Sequence, residues 1–196
     1  MLALPELHHG GYLDPTGPSL SGGVILIRRC AAAIVLRRRA TVTIMKNMRT
    51  VFEAAGGNDG LVRLAAAWHR RVMDDPVVSH AFSHGFHPQH VERLAAYWAE
   101  ALGGPSTYSE LFGDETTVVK MHSGNGEHEE MDRRAIACFD QALVEVGLAD
   151  DAALKQVLHD YFAWATTTTM SRYHQSAAHV PSGLTIPRWS WDGLQA

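Results

Sequence analysis

Cysteine is scarce in this sequence, and its scarcity excludes two classes of stabilised small domain. The chain has two cysteines, Cys30 and Cys138, far apart among 196 residues. A disulfide framework needs several cysteines, and a structural zinc site needs them at short spacings beside further cysteine or histidine ligands. Neither pattern occurs in the sequence, and so few cysteines fit a reducing compartment. We therefore predict a cytoplasmic location.

Long apolar runs are also lacking. The longest begins at Val24, is cut by Arg28 and Arg29, and ends at the three arginines 37–39. A membrane-spanning helix needs about 20 consecutive apolar residues. No small-residue cleavage site follows the basic cluster, as a signal peptide would require. We therefore expect no stable membrane insertion.

Positive charge is in short supply over most of the chain. Residues 1–47 hold six basic and two acidic residues, which leaves 11 basic and 19 acidic residues for the remainder, a net charge of −8. An acidic body of this kind argues against nucleic acid as a partner.

The first 47 residues lack the periodicity of a folded element. Gly, Pro, Ser and His crowd positions 5–23, and the interrupted apolar run follows. We predict that residues 1–47 are a disordered extension, or upstream sequence preceding a native start at Met45 or Met48. We place the folded domain at 48–173. Residues 174–196 are expected to pack on it, because Trp189 and Trp191 are costly to leave in water.

From residue 49 onward the sequence alternates helical periods with helix breakers. Apolar residues recur at helical spacing in segments separated by Gly-Gly, Asp-Pro, Gly-Gly-Pro and Ser-Gly-Asn-Gly. No alternating strand pattern follows residue 48. The sequence therefore predicts an all-α body.

The stretch from Phe82 to His122 contains the candidate functional residues. His90, Leu94 and Tyr97 fall on one face of a helix that begins near Pro88 and stops at the glycines 103–104. His122 ends a second helical run that begins near residue 114. Neutral imidazole is a common ligand for transition metals and haem iron. Two histidines about thirty residues apart could face each other across a flat cofactor, although either alone is more often a core or surface residue.

Several motifs in sequence order resemble the truncated haemoglobins, most closely group II. They are a short first helix ending in Gly-Gly, Trp68-His69, the Val-Met-Asp-Asp-Pro run at 72–76, Phe82, the Leu-Gly-Gly-Pro-Ser-Thr-Tyr run at 102–108, and Lys-Met-His at 120–122. The match covers about residues 49–172. The resemblance implies a globin-like fold in which a two-on-two helical sandwich surrounds haem.

The resemblance also implies roles for individual residues. His122 would be the proximal ligand of the haem iron, and His69 and His90 would face the bound gas. Arg93, with Lys120 as a weaker candidate, would meet the haem propionates. The remaining implied haem contacts are Phe82, Leu94, Tyr97, Trp98 and Tyr108. The implied cofactor is haem b, and the implied ligands are dioxygen, nitric oxide and carbon monoxide.

Three departures from the family pattern alter the expected ligand chemistry. His69 replaces the usual tyrosine of the second helix, and Ala135 aligns with a usual tryptophan. The loop after His122 reads Ser-Gly-Asn where the family often has x-Pro-Phe. Two imidazoles thus stand where the family offers other donors, and His90 itself could bind the iron when no gas is present.

Three hypotheses of function follow. The first is a gas-binding haem protein, with nitric oxide detoxification or peroxidase-like chemistry as further activities, a reductase as partner if it is redox-active, and a homodimer as one assembly. The second is a non-haem metal enzyme that uses His80, His84, His87 and His90. Gly85 and Pro88 argue against one continuous helix there. The third is a helical adaptor whose contact surface is the tail that contains Trp189 and Trp191.

Overall fold

The computed structural model describes residues 49–196, so the predicted extension at 1–47 lies outside the described residues. Seven α-helices carry the fold of this part: α1 (Val51–Ala54), α2 (Gly57–Asp74), α3 (His90–Ala101), α4 (Thr107–Leu111), α5 (Glu115–Met121), α6 (Glu129–Glu145) and α7 (Ala152–Trp164). Short 3₁₀ helices span Val78–Phe82, Leu148–Asp150 and Ala177–His179. No helix within 49–196 is long and apolar enough to cross a membrane.

Two helix pairs form the body. Helix α2 packs against α3 and against α6, and α6 packs against α7. Aromatic rings fill the space between them: Phe139 stacks on Phe162 with centroids 4.1 Å apart, and Trp98 meets both rings edge-on. The helical periodicity of the sequence predicted this all-α body correctly.

Side-chain caps fix where the helices begin. Thr50 forms a capping box with Glu53 ahead of α1, Asp114 Oδ1 accepts the Thr117 amide at 2.8 Å, and Asp151 caps α7. Helix α3 differs from the prediction, since it begins at His90, two residues after Pro88. The turn before it is held by the His90 amide, which donates to the His87 carbonyl at 2.9 Å.

The last long helix widens at its end. Residues Ala165–Met170 form a π-helix, in which the Ser171 amide donates to the Thr166 carbonyl at 3.2 Å. Threonine, which is β-branched, weakens an α-helix, and here it occupies four consecutive positions, 166–169. π-Helical turns are rare and occur often at functional sites.

The C-terminal segment contacts the helical body at several points. Trp189 is buried against Tyr161 and Trp164, with ring centroids 6.0 and 5.4 Å away. The Trp191 indole donates to the Arg49 carbonyl at 2.8 Å. Two-residue strands, β1 (Trp189–Ser190) and β2 (Gly193–Leu194), pair here as a small antiparallel hairpin that the sequence did not predict. Both tryptophans make contacts within the chain, which removes the basis for the adaptor hypothesis.

Arg188 connects this segment to α3. Its guanidinium donates to the Glu100 carbonyl, lies 3.4 Å from Glu100 Oε1 and donates to Ser106 Oγ at 3.1 Å. The Glu100 side chain is only 5% exposed. Ser109 donates to the same carboxylate through its amide and its hydroxyl.

Arg188→Ala is expected to lower the free energy of unfolding by about 1–3 kcal/mol, because it leaves a buried carboxylate without its cation. Chemical denaturation measures this. Lys155→Ala, which removes an exposed cation from α7, is the control and should change stability by less than about 0.5 kcal/mol. Equal effects of the two variants would show that Arg188 does not stabilise the buried carboxylate.

Candidate functional site

His122 lies directly after α5, at the C-cap of that helix. Its Nδ1 is 2.8 Å from the Val118 carbonyl oxygen. A carbonyl oxygen can only accept, so Nδ1 carries the proton and Nε2 keeps its lone pair. This tautomer presents Nε2 as a potential metal ligand, and the hydrogen bond fixes the orientation of the ring.

The loop after His122 is hydrogen-bonded to the segment that follows the π-helix. The Ser123 hydroxyl donates to the Val119 carbonyl at 2.6 Å, and the Gly124 amide donates to the Tyr173 carbonyl at 3.1 Å. Gly124 has φ +77°, and an added Cβ would meet the Ala177 amide nitrogen at 3.4 Å. Glycine therefore permits the close approach that holds the His122 loop.

Four rings from three helices and a loop form a cluster that we call the four-ring cluster: His69 of α2, Phe82 of the first 3₁₀ helix, Phe86 of the following loop and His90 of α3. The His69 centroid lies 4.8 Å from that of His90, 4.7 Å from Phe86 and 5.5 Å from Phe82. Phe82 in turn lies 5.5 Å from His90. Two imidazoles are thus enclosed by two phenyl rings.

Both imidazoles of the cluster have an unsatisfied buried nitrogen. Nδ1 of His69 and Nδ1 of His90 are buried without a hydrogen-bond partner. Desolvation lowers the pKa of His69. Desolvation, followed by the charges of His69, His122 and His87, lowers the pKa of His90 to about 4. Both rings are therefore neutral at physiological pH.

His122 lies within electrostatic range of this cluster, and its pKa is lowered by burial like those of His69 and His90. Its charge contributes to the lowered pKa of His90, so the two imidazoles are within electrostatic range. Desolvation lowers the pKa of His122 as well, although the residue retains exposed surface. A neutral imidazole with a fixed Nε2, within electrostatic range of His90, has the chemistry of a haem iron ligand.

The other predicted contacts divide into two groups. Arg93 donates to the Phe112 carbonyl at 2.6 Å, and its guanidinium lies over the rings of Phe112 and Tyr108. Lys120 is exposed in the last turn of α5.

The second group lies on α3. Leu94 is half-buried, one turn after His90, whereas Tyr97 and Trp98 are buried. Trp98 belongs to the aromatic core between α2, α6 and α7. The Tyr97 hydroxyl donates to Glu115 Oε2 at 2.9 Å.

The four histidines of the non-haem hypothesis are dispersed. His80 belongs to the 3₁₀ helix Val78–Phe82, His84 and His87 are exposed in the loop, and His90 begins α3. Among residues 49–196 no group of three His, Cys, Asp or Glu side chains is placed to hold a metal ion. The structure therefore gives this hypothesis no support.

Two residues of this region were missed by sequence reasoning. Phe86 contributes a ring to the four-ring cluster, and its position in a histidine-rich loop beside Phe82 was a usable signal. Glu115 is 3% exposed and hydrogen-bonded to Tyr97. Nothing in the Gly-Asp-Glu sequence at 113–115 distinguishes a buried carboxylate from a solvated one.

The chain resembles known proteins in sequence and in fold. The sequence model of the bacterial-like globin family matches residues 50–167. No curated protein matches the chain in sequence.

Solved structures are similar over most of their own length. The haemoglobin of the phototrophic bacterium Chloroflexus aurantiacus is 26% identical, covers 63% of this chain and 99% of its own, and has a TM-score of 0.54. A thermostable haemoglobin of the actinobacterium Thermobifida fusca is 28% identical, covers 62% and 97%, and has a TM-score of 0.53. The group II truncated haemoglobin of Bacillus anthracis, at 20% identity, 62% and 90% coverage and a TM-score of 0.55, supports the fold.

The helical fold, shared with solved haemoglobins, is that of a globin. The chain belongs to the bacterial-like globin family, and the predicted resemblance to truncated haemoglobins is confirmed. Membership implies haem with its iron as cofactor and small gases as ligands.

Proposed function

We propose that this globin binds haem b through His122 and reversibly binds dioxygen, nitric oxide and carbon monoxide on the side of the four-ring cluster. The observation that supports the proposal is the hydrogen bond of His122 Nδ1 to the Val118 carbonyl, which leaves Nε2 without a proton in a residue within electrostatic range of His90. When bound, haem supplies an iron centre that binds gases and exchanges electrons. Spectra of the ferric, ferrous and carbon monoxide forms, purified with added haem precursor, test this; no Soret band would refute it.

Different residues of the chain would bind the iron, the gas ligand and the haem propionates. The Val118 carbonyl holds the His122 ring in place and makes Nε2 a stronger electron-pair donor to the iron. On the side of the four-ring cluster, a neutral imidazole N–H from His69 donates to a bound ligand beside the half-buried ring of Phe82, and this apolar neighbour strengthens the hydrogen bond. Arg93 uses one of its five N–H donors on Phe112 and retains others for a propionate.

A redox activity would extend this function. Neutral imidazoles at His69 and His90 can pass protons to a reacting ligand, which supports nitric oxide detoxification or peroxidase-like turnover. Such turnover would draw electrons from a reductase. A cytoplasmic location and a homodimer stay predictions.

The distal imidazoles give a graded prediction. His69→Phe is expected to speed dioxygen release a few-fold to about tenfold, because it removes a hydrogen bond of about 0.5–1.5 kcal/mol. The ligand-free ferrous spectrum should not change. His90→Leu should change that spectrum, and speed carbon monoxide association, only if His90 itself occupies the iron's sixth position. Stopped-flow kinetics of both variants and of the double variant separate the cases.

His84→Leu is the matched control for these variants, since His84 is an exposed loop histidine outside the four-ring cluster. It should leave both rates unchanged. Dioxygen release at the wild-type rate in both single variants and the double variant would refute the role of these imidazoles.

The proposed domain boundary yields a further prediction. A chain that starts at Met48 is expected to fold and take up haem as the full chain does, since the core described here lies within 49–196. Soret absorbance per protein measures uptake. Loss of haem by the shortened chain alone would place residues 1–47 within the domain.

A further inference from the structure

Tyr97 and Glu115 form a buried acid–tyrosine pair between α3 and α5. Tyr97 is 7% exposed and Glu115 is 3% exposed, and the phenol donates to Oε2 at 2.9 Å. Buried carboxylates are costly unless paired, yet the partner here is a neutral phenol rather than a cation. Apolar residues of similar volume would stabilise this position at least as well as the pair does. Stability therefore does not account for the pair, and its chemistry calls for a functional explanation.

One oxygen of the Glu115 carboxylate is free to accept a proton, because its Oε1 is buried without a hydrogen-bond partner. The Tyr161 hydroxyl is also buried without a partner, and the charge of Glu115 acts on it. The other charged groups that act on it, Asp114 and Glu100, are both acidic. Burial, reinforced by these two charges against the hydrogen bond from Tyr97, raises the pKa of Glu115 to about 7. At and above that pH the carboxylate is available as a base.

A path for the proton toward solvent begins at the same residue. Glu115 lines a cleft of about 230 Å³ between α5, the π-helical segment and the C-terminal segment, together with Trp164, Thr168 and Arg172. Glu115 therefore has the interior phenol on one side and this cleft on the other. A proton taken from Tyr97 could leave through the cleft without crossing the four-ring cluster.

Tyr97 also has a suitable position for electron transfer to haem. It lies on α3 seven residues after His90, on the same helical face, which is about 10 Å along the helix axis. Four tyrosines fall within 49–196, and among them Tyr97 alone donates its hydroxyl to a carboxylate. Tyr108 and Tyr161 are equally buried, which makes them natural controls.

We propose that Tyr97 is a redox-active tyrosine and that Glu115 is the base that takes its proton when hydrogen peroxide oxidises the haem-loaded protein. In this step the Tyr97 O–H bond breaks, one electron passes to the peroxide-oxidised haem, and the proton passes to Glu115 Oε2. A neutral tyrosyl radical and a neutral carboxylic acid remain. The O–O bond of hydrogen peroxide breaks as it takes up two electrons and two protons to form two water molecules. Tyr97 supplies one electron and the haem the other, and both protons come from solvent, since the Tyr97 proton stays on Glu115. The inference rests on the proposed haem site.

Electron paramagnetic resonance of samples frozen shortly after peroxide addition tests this. The ferric haem-loaded wild type is expected to give an organic radical signal that narrows when tyrosine is ring-deuterated. Tyr97→Phe should lose most of the signal, whereas Tyr108→Phe and Tyr161→Phe, which remove hydroxyls that have no carboxylate acceptor, should keep it. A signal that persists in Tyr97→Phe, or disappears equally in all three variants, overturns the proposal.

Glu115→Gln separates a base from a structural hydrogen-bond partner, because glutamine still accepts from Tyr97 but cannot take its proton. The wild-type radical yield should rise with pH through about 7, where the carboxyl ionises, and the variant's yield should be low and independent of pH. Identical pH profiles would overturn the proposal.

The Soret band and its change on peroxide addition report separately on the proposed function. If both occur without a Tyr97 radical, only this inference fails; if haem binds and does not respond to peroxide, the inference fails and gas binding stands; if no haem binds, both fail.

Discussion

His122→Ala is expected to lose haem, with affinity falling by more than about 100-fold, the upper range for removal of a residue that merely supports a metal ligand. Among residues 49–196 this side chain offers the one imidazole whose Nδ1 is hydrogen-bonded to the carbonyl of its own helix, four residues earlier. Its loss removes the nitrogen proposed to bind the iron and leaves the Val118 carbonyl without its donor. Soret absorbance and the rate of haem transfer to an acceptor protein measure the effect.

Imidazole in the medium should partly restore the spectrum, because the truncated side chain leaves room for a free ligand at a position that solvent can reach. His174→Ala is the matched control: His174 is half-buried close to the same loop, and its Nδ1 lies 3.3 Å from the Ser171 carbonyl oxygen. That variant should bind haem normally. An unchanged spectrum in His122→Ala would mean that another histidine is the proximal ligand.

The features that could be predicted from sequence are those with local physical signals. The sequence predicts His122 at a helix end because a helical run from about residue 114 meets a glycine-rich run after His122, and the structure adds that Asp114 caps the start of α5. Apolar residues that recur every 3.6 residues also predict the buried faces of α2 and α6, because this period can be read from each segment alone. These local signals agree with the global fold, which is what makes the fold predictable.

Features that depend on contacts between distant segments were not predictable. The four-ring cluster brings together residues of α2, a 3₁₀ helix, a loop and α3, and no spacing rule places Phe86 beside His69. Arg93 reaches the Phe112 carbonyl nineteen residues onward. The burial of Glu115 is of the same kind, because it depends on α3, α7 and the C-terminal segment arriving together.

The C-terminal segment shows how far composition can go. Two tryptophans predicted that it packs on the body, and Trp189 is buried while Trp191 donates to Arg49. Composition gave no register or partner, so the hairpin and the Arg188–Glu100 contact were not foreseen. The Arg188 contact matters for the site, since it joins this segment to the helix that carries His90 and Tyr97, whereas the hairpin packs on α7.

Glu115→Gln is expected to stabilise the protein above neutral pH and to have little effect in acid. The carboxyl pKa is about 7 in the folded protein against an ordinary value of 4.5. Between these values the folded state holds a proton that the unfolded state has released, so the free energy of unfolding falls as pH rises. The loss is complete above pH 7 and amounts to about 3 kcal/mol, at 1.36 kcal/mol for each unit.

Glutamine does not titrate, so the variant should lack this loss. The unfolding free energy of Glu115→Gln minus that of the wild type should therefore grow by about 2.5 kcal/mol between pH 5 and pH 8. Urea denaturation at a series of pH values measures the difference. Glu92→Gln, which neutralises an exposed carboxylate on α3, is the control and should give a difference that hardly depends on pH. A flat difference for Glu115→Gln would show that the folded carboxyl ionises near its ordinary pKa, and that solvent or a structural rearrangement satisfies its unpaired oxygen.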